Sequence, residues 1–446
     1  MNHYKIAFIS LGCDKNRVNL EQMMSLVQDA GHTIVSQPEG ADVCVINTCG
    51  FIDAAKEEGI ANILAMAHLK EEGSLTKILV TGCLSQRYRE EIKESLPEVD
   101  GILGTGSYTG IVAAIEDVMA DQFPEYYGDI NHTDDEGLRV LTTEPYFAYL
   151  KVAEGCNNNC AFCAIPRIRG RYRSRPMENL LAEAKHLSEQ GVQELILIAQ
   201  DVTRYGTDLY HTHKLPDLLR ELCKLDFHWI RLHYLYPDDL TDEMLEVIAT
   251  EPKIVHYLDI PLQHCNDELL SVMHRRGTKA EIINLLDKIR QKIPDVVFRT
   301  SLITGLPGED EEKFDELCDF LREQKLVRAG VFQFSPEEGT RAATMPDQVK
   351  PEVAARRLEL LVDLQSDVMD EYNESRLGET VEVLVEGFDQ EMGCWRGRTY
   401  ADAPDIDGHV YFTAAGQIPA GSFVPVLLTG TVDGDMMGEI QDDAKG

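Results

Sequence analysis

Short apolar runs separated by helix-patterned segments recur along most of this chain, and that alternation restricts it to parallel sheets covered by helices. In residues 1 to about 135 the runs KIAFISLGC, DVCVINTCG and KILVTGC alternate with segments such as NLEQMMSLVQDAG, the rhythm of a βαβ domain. A turn-rich acidic stretch, YYGDINHTDDEG, reads as a linker. From about 140 to 375 the rhythm resumes over six runs, YFAYLKVAEG, ELILIAQD, WIRLHYLYP, HYLDIPLQ, VFRTSLITG and RAGVFQFS. They predict a second α/β domain built as an open or partial barrel, closed by the helix-patterned PEVAARRLELLVDLQSDVMDEYNESRLG. Residues 378 to 446 change to β-rich runs, TVEVLVEGF, HVYFT and SFVPVLLTGTV, with the turn pair Asp407-Gly408 between them. The expected fold class is therefore α/β, with an N-terminal parallel-sheet domain (1–135), a central partial (β/α) barrel (140–375) and a C-terminal small all-β barrel (378–446).

A chain of 446 residues is long enough for two or three such cores. Its first residues, MNHYKIAFIS, lack a basic segment followed by an apolar one, and no stretch reaches the roughly 18 apolar residues of a membrane span. A cytoplasmic protein without a membrane partner is expected. In that compartment thiols stay reduced, so the 11 cysteines argue for metal binding or catalysis rather than a disulfide framework. The formal charge of -35 favours basic partners and disfavours nucleic acid, although such a charge also serves solubility alone.

Three cysteines crowd one loop: in EGCNNNCAFCAIP, Cys156, Cys160 and Cys163 have the spacing C-x3-C-x2-C just after the first strand of the central domain. A structural zinc site wants four ligands, and nothing beside the loop completes one; a zinc ion borrowing a distant ligand remains an alternative. An iron–sulfur cube can be held by three thiolates, leaving one iron open. Cys265, beyond DIPLQH, is the one obvious fourth thiolate and is read as a spare residue. In the first domain Cys13, Cys49 and Cys83 each stand at the C-terminal end of a predicted strand, where open parallel sheets build their sites. One such cysteine is ordinarily a small buried hydrophobe; three in corresponding positions read as a ligand set. Cys44, Cys223, Cys318 and Cys394 are read as structural.

The loop CNNNCAFC with the following Ile-Pro resembles the motif of radical S-adenosylmethionine (SAM) enzymes. Together with the strand-end triad before it and the β-rich tail behind, the whole chain resembles the methylthiotransferase family. The stretches AQDVTRYG, WIRLHYLYP, ITGLPGED and FSPEEGT fit as well, with Val202 standing where a threonine is expected. The resemblance implies two 4Fe-4S clusters, one on Cys156, Cys160 and Cys163 that chelates and cleaves SAM, and an auxiliary one on Cys13, Cys49 and Cys83 that carries the sulfur to be inserted. It implies two uses of SAM, one for methylation of that sulfur and one for radical formation. It also implies that the tail is a TRAM substrate-binding domain, and that an electron donor and a sulfur source are partners.

Other candidate positions cluster at predicted strand ends. Gln200 and Asp201 follow ELILIA and are read as contacts to the SAM methionine or substrate, with a helix cap as the ordinary alternative for Asp201. Arg231 and His233 alternate with apolar residues and point into the lumen or form a structural ion pair. Gly305 and Gly308 would let SAM adenine approach the backbone. The run RIRGRYRSR is read as a contact for an anionic partner, against a solvated charged face. Two features choose the substrate branch. LGCDKNRVNLE resembles the branch acting on a ribosomal protein, whereas the RNA branch more often reads GCQMN. The tail from Gly378 carries 13 Asp and Glu against 3 Lys and Arg, the wrong sign for a phosphate-binding face. The implied reaction adds a methylthio group to the β-carbon of an aspartate in small-subunit ribosomal protein S-twelve. A transfer-RNA methylthiotransferase and a non-catalytic iron–sulfur carrier are the competing readings.

Overall fold

The computed structural model describes residues 3–132 and 137–441. The first sheet contains β1 (Lys5–Ser10), β2 (Thr33–Val35), β3 (Val43–Thr48), β4 (Lys77–Gly82), β5 (Gly101–Leu103) and β6 (Glu125–Tyr126). All pairs are parallel, in the order β2-β1-β3-β4-β5-β6. Helices cover both faces, so VCVINT in β3 is buried at every position and can be apolar without alternation.

The connection read as a linker is part of the packing in its described portion. Tyr126 ends the sheet, the Asn131 side chain accepts from the Arg171 amide at 2.9 Å, and Gly170 leaves no room for a side chain beneath the Ile130 carbonyl. Positions 133–136 of that stretch fall outside the described residues.

The second sheet consists of β7 (Phe147–Lys151), followed, after the short pair β8 (Ala153–Glu154) and β9 (Arg173–Ser174), by β10 (Glu194–Ile198), β11 (Trp229–Leu232), β12 (Ile254–Asp259), β13 (Val297–Thr304) and β14 (Arg328–Gln333). Its order is β14-β13-β12-β11-β10-β7, parallel throughout and open at both edges, as the six apolar runs predict. Ala148, Leu150, Leu195, Leu197, Ile230 and Leu258 face the helices on one side. The alternate positions, Tyr149, Ile196, Trp229 and Tyr257, face the lumen, as a period of two requires. That lumen is filled from outside the sheet: Val18 of α1 (Asp14–Asp29) enters from the first domain, and Leu384, Ala401 and Ala403 enter from the tail.

The tail is a closed barrel of β15 (Thr380–Asp389), β16 (Cys394–Arg398), β17 (Val410–Thr413), β18 (Phe423–Val432) and β19 (Asp435–Ile440). Its seam with the central sheet is a buried charge network. Glu194 accepts from Arg231 at 2.7 Å and Arg398 at 2.8 Å, all three with side chains wholly inaccessible, and Glu386 meets Arg398 from the other side at 2.6 Å. Arg328 pairs with Asp402 at 2.5 Å, and the Tyr257 hydroxyl donates to Asp407 at 2.6 Å. Not every tail carboxylate faces solvent: Asp402 is buried and Asp407 partly so, because the barrel packs its acidic loop into the sheet. Glu382, Glu391, Asp405, Asp433 and Glu439 do face solvent. Among the described residues no helix is long and apolar enough to cross a membrane.

Candidate active site at the domain junction

The adjacent strands β1, β3 and β4 deliver the first cysteine triad. Cys13 caps α1 just beyond β1, Cys49 directly follows β3, and Cys83 opens the short helix Cys83–Arg87 after β4. Two glycines let the three turns close on one another. At Gly12 (φ 95°) a Cβ would lie 2.7 Å from the Cys49 Cβ, and at Gly82 (φ 101°) it would clash with the Thr48 carbonyl; both backbones also sit in the left-handed region. Asn16 and Asn47 tie the turns together, the first donating to the Thr48 carbonyl at 3.0 Å and the second to the Asn16 carbonyl at 2.7 Å. Burial pushes the Cys49 thiol up to about 11, and the charges of Cys83 and Cys13 add to the rise. The three sulfurs therefore share one electrostatic environment.

The second triad lies on a loop held at both ends by the β8–β9 pair. Its middle is fixed by Asn158, whose side chain donates to Asp201 at 2.9 Å and accepts from Arg276 at 2.9 Å. The Cys160 sulfur lies 3.7 Å from the Tyr236 hydroxyl and 3.8 Å from an Arg275 nitrogen. Burial raises the Cys163 thiol, with Cys160 and Cys156 contributing, and raises Cys156 to about 11. Thiols so buried become ligands only when a cationic centre displaces their protons. Among the described residues no three His, Cys, Asp or Glu side chains converge on one ion-sized point. Each thiolate of a cube binds a different iron, and three thiolates are the donor chemistry that each triad offers. Cys265 takes no part: it is buried and its thiol donates to the Glu316 carbonyl at 3.6 Å.

The two triads adjoin. Cys83 packs directly on Ala164 and Ile168, the residues that follow Cys163. Between them stands Arg169, which donates to the Cys83 sulfur at 3.3 Å, to Asn19 at 2.9 Å and to Glu154 at 3.2 Å. Glu154 also holds Lys151 at 2.9 Å and accepts from Gln200 at 2.7 Å, while the buried Gln200 Oε1 has no partner. Glu154 is held well below the usual carboxylate range, because Lys151 and Arg169 outweigh its burial. On the lumen side, Tyr234 sits at φ 60° with its amide on Asp259 at 3.0 Å, and the Lys15 ammonium lies 3.1 Å over its ring. A non-glycine residue at positive φ at a strand end is a strained feature that the surrounding packing enforces.

The remaining predicted positions divide. Gln200 and Asp201 stand beside the second triad, Asp201 as the anchor of the cysteine loop. Arg231 points away from the strand ends into the tail seam, donating to Glu194 and to the Tyr400 carbonyl at 2.8 Å. His233 is buried, and burial together with Arg231 and Arg299 keeps its ring neutral. Gly305 packs against Ala354 of the helix Pro351–Ser375, and the Gly308 amide donates to the Asp347 carbonyl at 2.9 Å. The run RIRGRYRSR is not a wholly open basic face: Arg169 and Arg175 are buried, the latter 2.7 Å from Glu183, and of its arginines only Arg167 and Arg171 are exposed. Arg169, Glu154, Lys151, Lys15 and Tyr234 were not singled out by the sequence. So too Glu337 of FSPEEGT, which clamps Arg87 of the first domain at 2.6 Å.

Known proteins resemble this arrangement. Residues 150–321 match the Radical SAM superfamily, residues 5–104 match an otherwise uncharacterized protein family, UPF0004, and residues 377–440 match the TRAM domain. The ribosomal protein uS12 methylthiotransferase RimO of Lachnoclostridium phytofermentans is 47% identical over 97% of this chain and 99% of its own length. That of Thermoanaerobacter sp. is 46% identical over the same shares. The chain belongs to the uS12 methylthiotransferase family. It is a radical-SAM enzyme, and its cofactors include an iron–sulfur cluster and SAM. Among solved structures, the radical SAM methyltransferase TsrM of Kitasatospora setae superposes with a TM-score of 0.54 at 12% identity over 76% of each chain. OxsB, a cobalamin-dependent SAM radical enzyme, gives 0.51 at 12% identity over 82% of this chain and 56% of that one. At that identity the likeness is one of fold.

Proposed function

We propose that this protein transfers a methylthio group to the β-carbon of an aspartate in ribosomal protein uS12, using two 4Fe-4S clusters held by the two cysteine triads. The observation that carries this is the junction itself: Cys83 of the first triad rests on the loop of the second, and Arg169 reaches from one to the other. Two separate binding sites would have no need of such contact; a sulfur donor and a hydrogen-abstracting centre that serve one carbon must adjoin. When bound, the cluster on Cys156, Cys160 and Cys163 with SAM supplies hydrogen abstraction, and that on Cys13, Cys49 and Cys83 supplies the sulfur.

The chain's own residues position and shield this chemistry. Asp201 fixes the loop through Asn158, and Gln200 Oε1, buried beside Glu154 without a partner, is the group left to accept a hydrogen bond from the SAM amino group. Val18 of α1 and Leu384, Ala401 and Ala403 of the tail pack the lumen against the sheet, which keeps water from that side of a carbon radical. The tail presents Glu391, Asp433 and Glu439 to solvent, charges suited to steering a basic ribosomal protein inward. Anaerobic incubation of the loaded protein with SAM and reductant, against uS12 and against transfer RNA, tests the reading. A uS12 peptide heavier by one methylthio group is expected; modification of the transfer RNA alone would overturn it.

A further inference from the structure

Arg169 reaches the first triad from outside the first domain's own turns and brings a fixed charge to it. It is 4% exposed, and its polar reach is fully engaged: Cys83, Asn16 and Asn19 on one side, Glu154 on the other. Its place is set by short-range geometry. The helix Ile165–Arg169 begins two residues after Cys163, and Gly170 (φ 73°) turns the chain immediately behind it, against the Ile130 carbonyl. The guanidinium is thereby driven across the domain boundary onto the sulfur of Cys83. An ordinary interdomain ion pair would end on a carboxylate of the first domain. Here the first-domain partners are two neutral asparagines and a thiol, and the only carboxylate, Glu154, belongs to the central domain and is already shared with Lys151.

From this we infer that Arg169 is a positioning and tuning residue for the N-terminal cluster: it holds the Cys83 sulfur in place and shifts that cluster's reduction potential upward. The inference rests on the reading that Cys13, Cys49 and Cys83 bind a cluster. One-electron reduction adds negative charge to a cluster and its thiolates, and both a donated N–H···S bond and a nearby fixed cation stabilise the added charge. Cys83 and Arg169 are both buried, so solvent screens this contact little. The fork geometry matters as well as the charge, because one guanidinium reaches a sulfur, two amides and a carboxylate at once, which an ammonium cannot do.

The test uses the full chain carrying C156A, C160A and C163A, so that any cluster signal comes from the first triad alone. Iron and sulfide content and the midpoint potential from an EPR-monitored dithionite titration are measured with Arg169 intact, as Arg169→Lys and as Arg169→Met. The expected order of midpoints is Arg above Lys above Met, with the Met variant also losing iron fastest to a chelator. Arg169→Lys keeps the charge, and its folding can be checked by circular dichroism, so a shift in that variant alone still decides the matter. Equal midpoints and equal chelation rates across the three proteins would overturn the inference while leaving the two-cluster reading intact. A background protein that binds no cluster would overturn both.

Discussion

Replacing Glu194 with Gln removes the charge that joins the central sheet to the tail barrel while keeping its size and an acceptor oxygen. The carboxylate lies between Arg231 and Arg398, and all three side chains are wholly inaccessible. Stripping one partner from a buried ion pair costs about 3–5 kcal/mol, because a desolvated charge is left uncompensated. The lower end applies here. Arg398 keeps Glu386 at 2.6 Å, and Arg231 keeps the Tyr400 carbonyl and the Tyr257 ring 4.6 Å away. The expected loss is therefore about 3 kcal/mol. Equilibrium urea unfolding of the cluster-free protein, followed by tryptophan fluorescence, reads it, since Trp229 packs edge-on against Phe423 of the tail at 4.8 Å and Trp395 lies in the tail itself. Glu382→Gln is the control: its pairing with His228 is roughly half exposed, and such a pair contributes about 0–1 kcal/mol. A Glu194→Leu, Arg231→Met double variant should recover part of the loss, as paired apolar replacement does. If Glu194→Gln costs no more than Glu382→Gln, the seam is not held by this network.

The triads should separate by function: Cys156→Ala is expected to abolish formation of 5′-deoxyadenosine from SAM, whereas Cys13→Ala keeps it and loses methylthio transfer, both followed by chromatography of anaerobic reactions. Asn158→Ala frees the cysteine loop from Asp201 and Arg276; SAM cleavage should fall by about ten-fold or more with secondary structure retained, a near-neutral result refuting the anchoring role. Burial alone would raise the Glu386 carboxyl, but His409 and Arg398 outweigh it and hold it down to about 2. Its folded value thus lies below the ordinary one, so its contribution, on the order of 3 kcal/mol, is present above about pH 4.5 and is lost as pH falls towards 2. The gap in urea midpoint between the wild type and Glu386→Gln should shrink over that window. Charge reversal at the exposed Glu391, Asp433 and Glu439 should slow association with uS12 at low salt and have little effect at high salt, measured by stopped flow.

Much of this was legible in the chain because it depends on local pattern. β3 and β10 are runs of buried residues long enough to read as strands, and the cysteines at positions 13, 49 and 83 announce themselves through their place just after such runs. What escaped was set by contacts between residues far apart. Arg169 looks like any member of RIRGRYRSR until the fold brings it 3.3 Å from Cys83, 86 positions away. Nothing local in the acidic tail shows that Arg328 and Tyr257 of the central sheet take Asp402 and Asp407 as partners. Arg231 followed the lumen alternation as expected, yet periodicity gives only the face of a strand and not the direction along it; Glu194, one strand over, drew it to the tail seam. Glycine carries the same ambiguity: Gly305 and Gly308 sit at positive φ, which a turn and a close ligand approach use alike.

The central claim is that one protein, with both triads, places a methylthio group on uS12. Mass spectrometry of uS12 from cells lacking this chain, with the chain restored as wild type, as C13A or as C156A, tests it most directly. The account predicts that the modified aspartyl peptide disappears on deletion, returns with the wild type and returns with neither variant. A modified uS12 peptide that persists in the deletion strain, or returns with either cysteine variant, would contradict it.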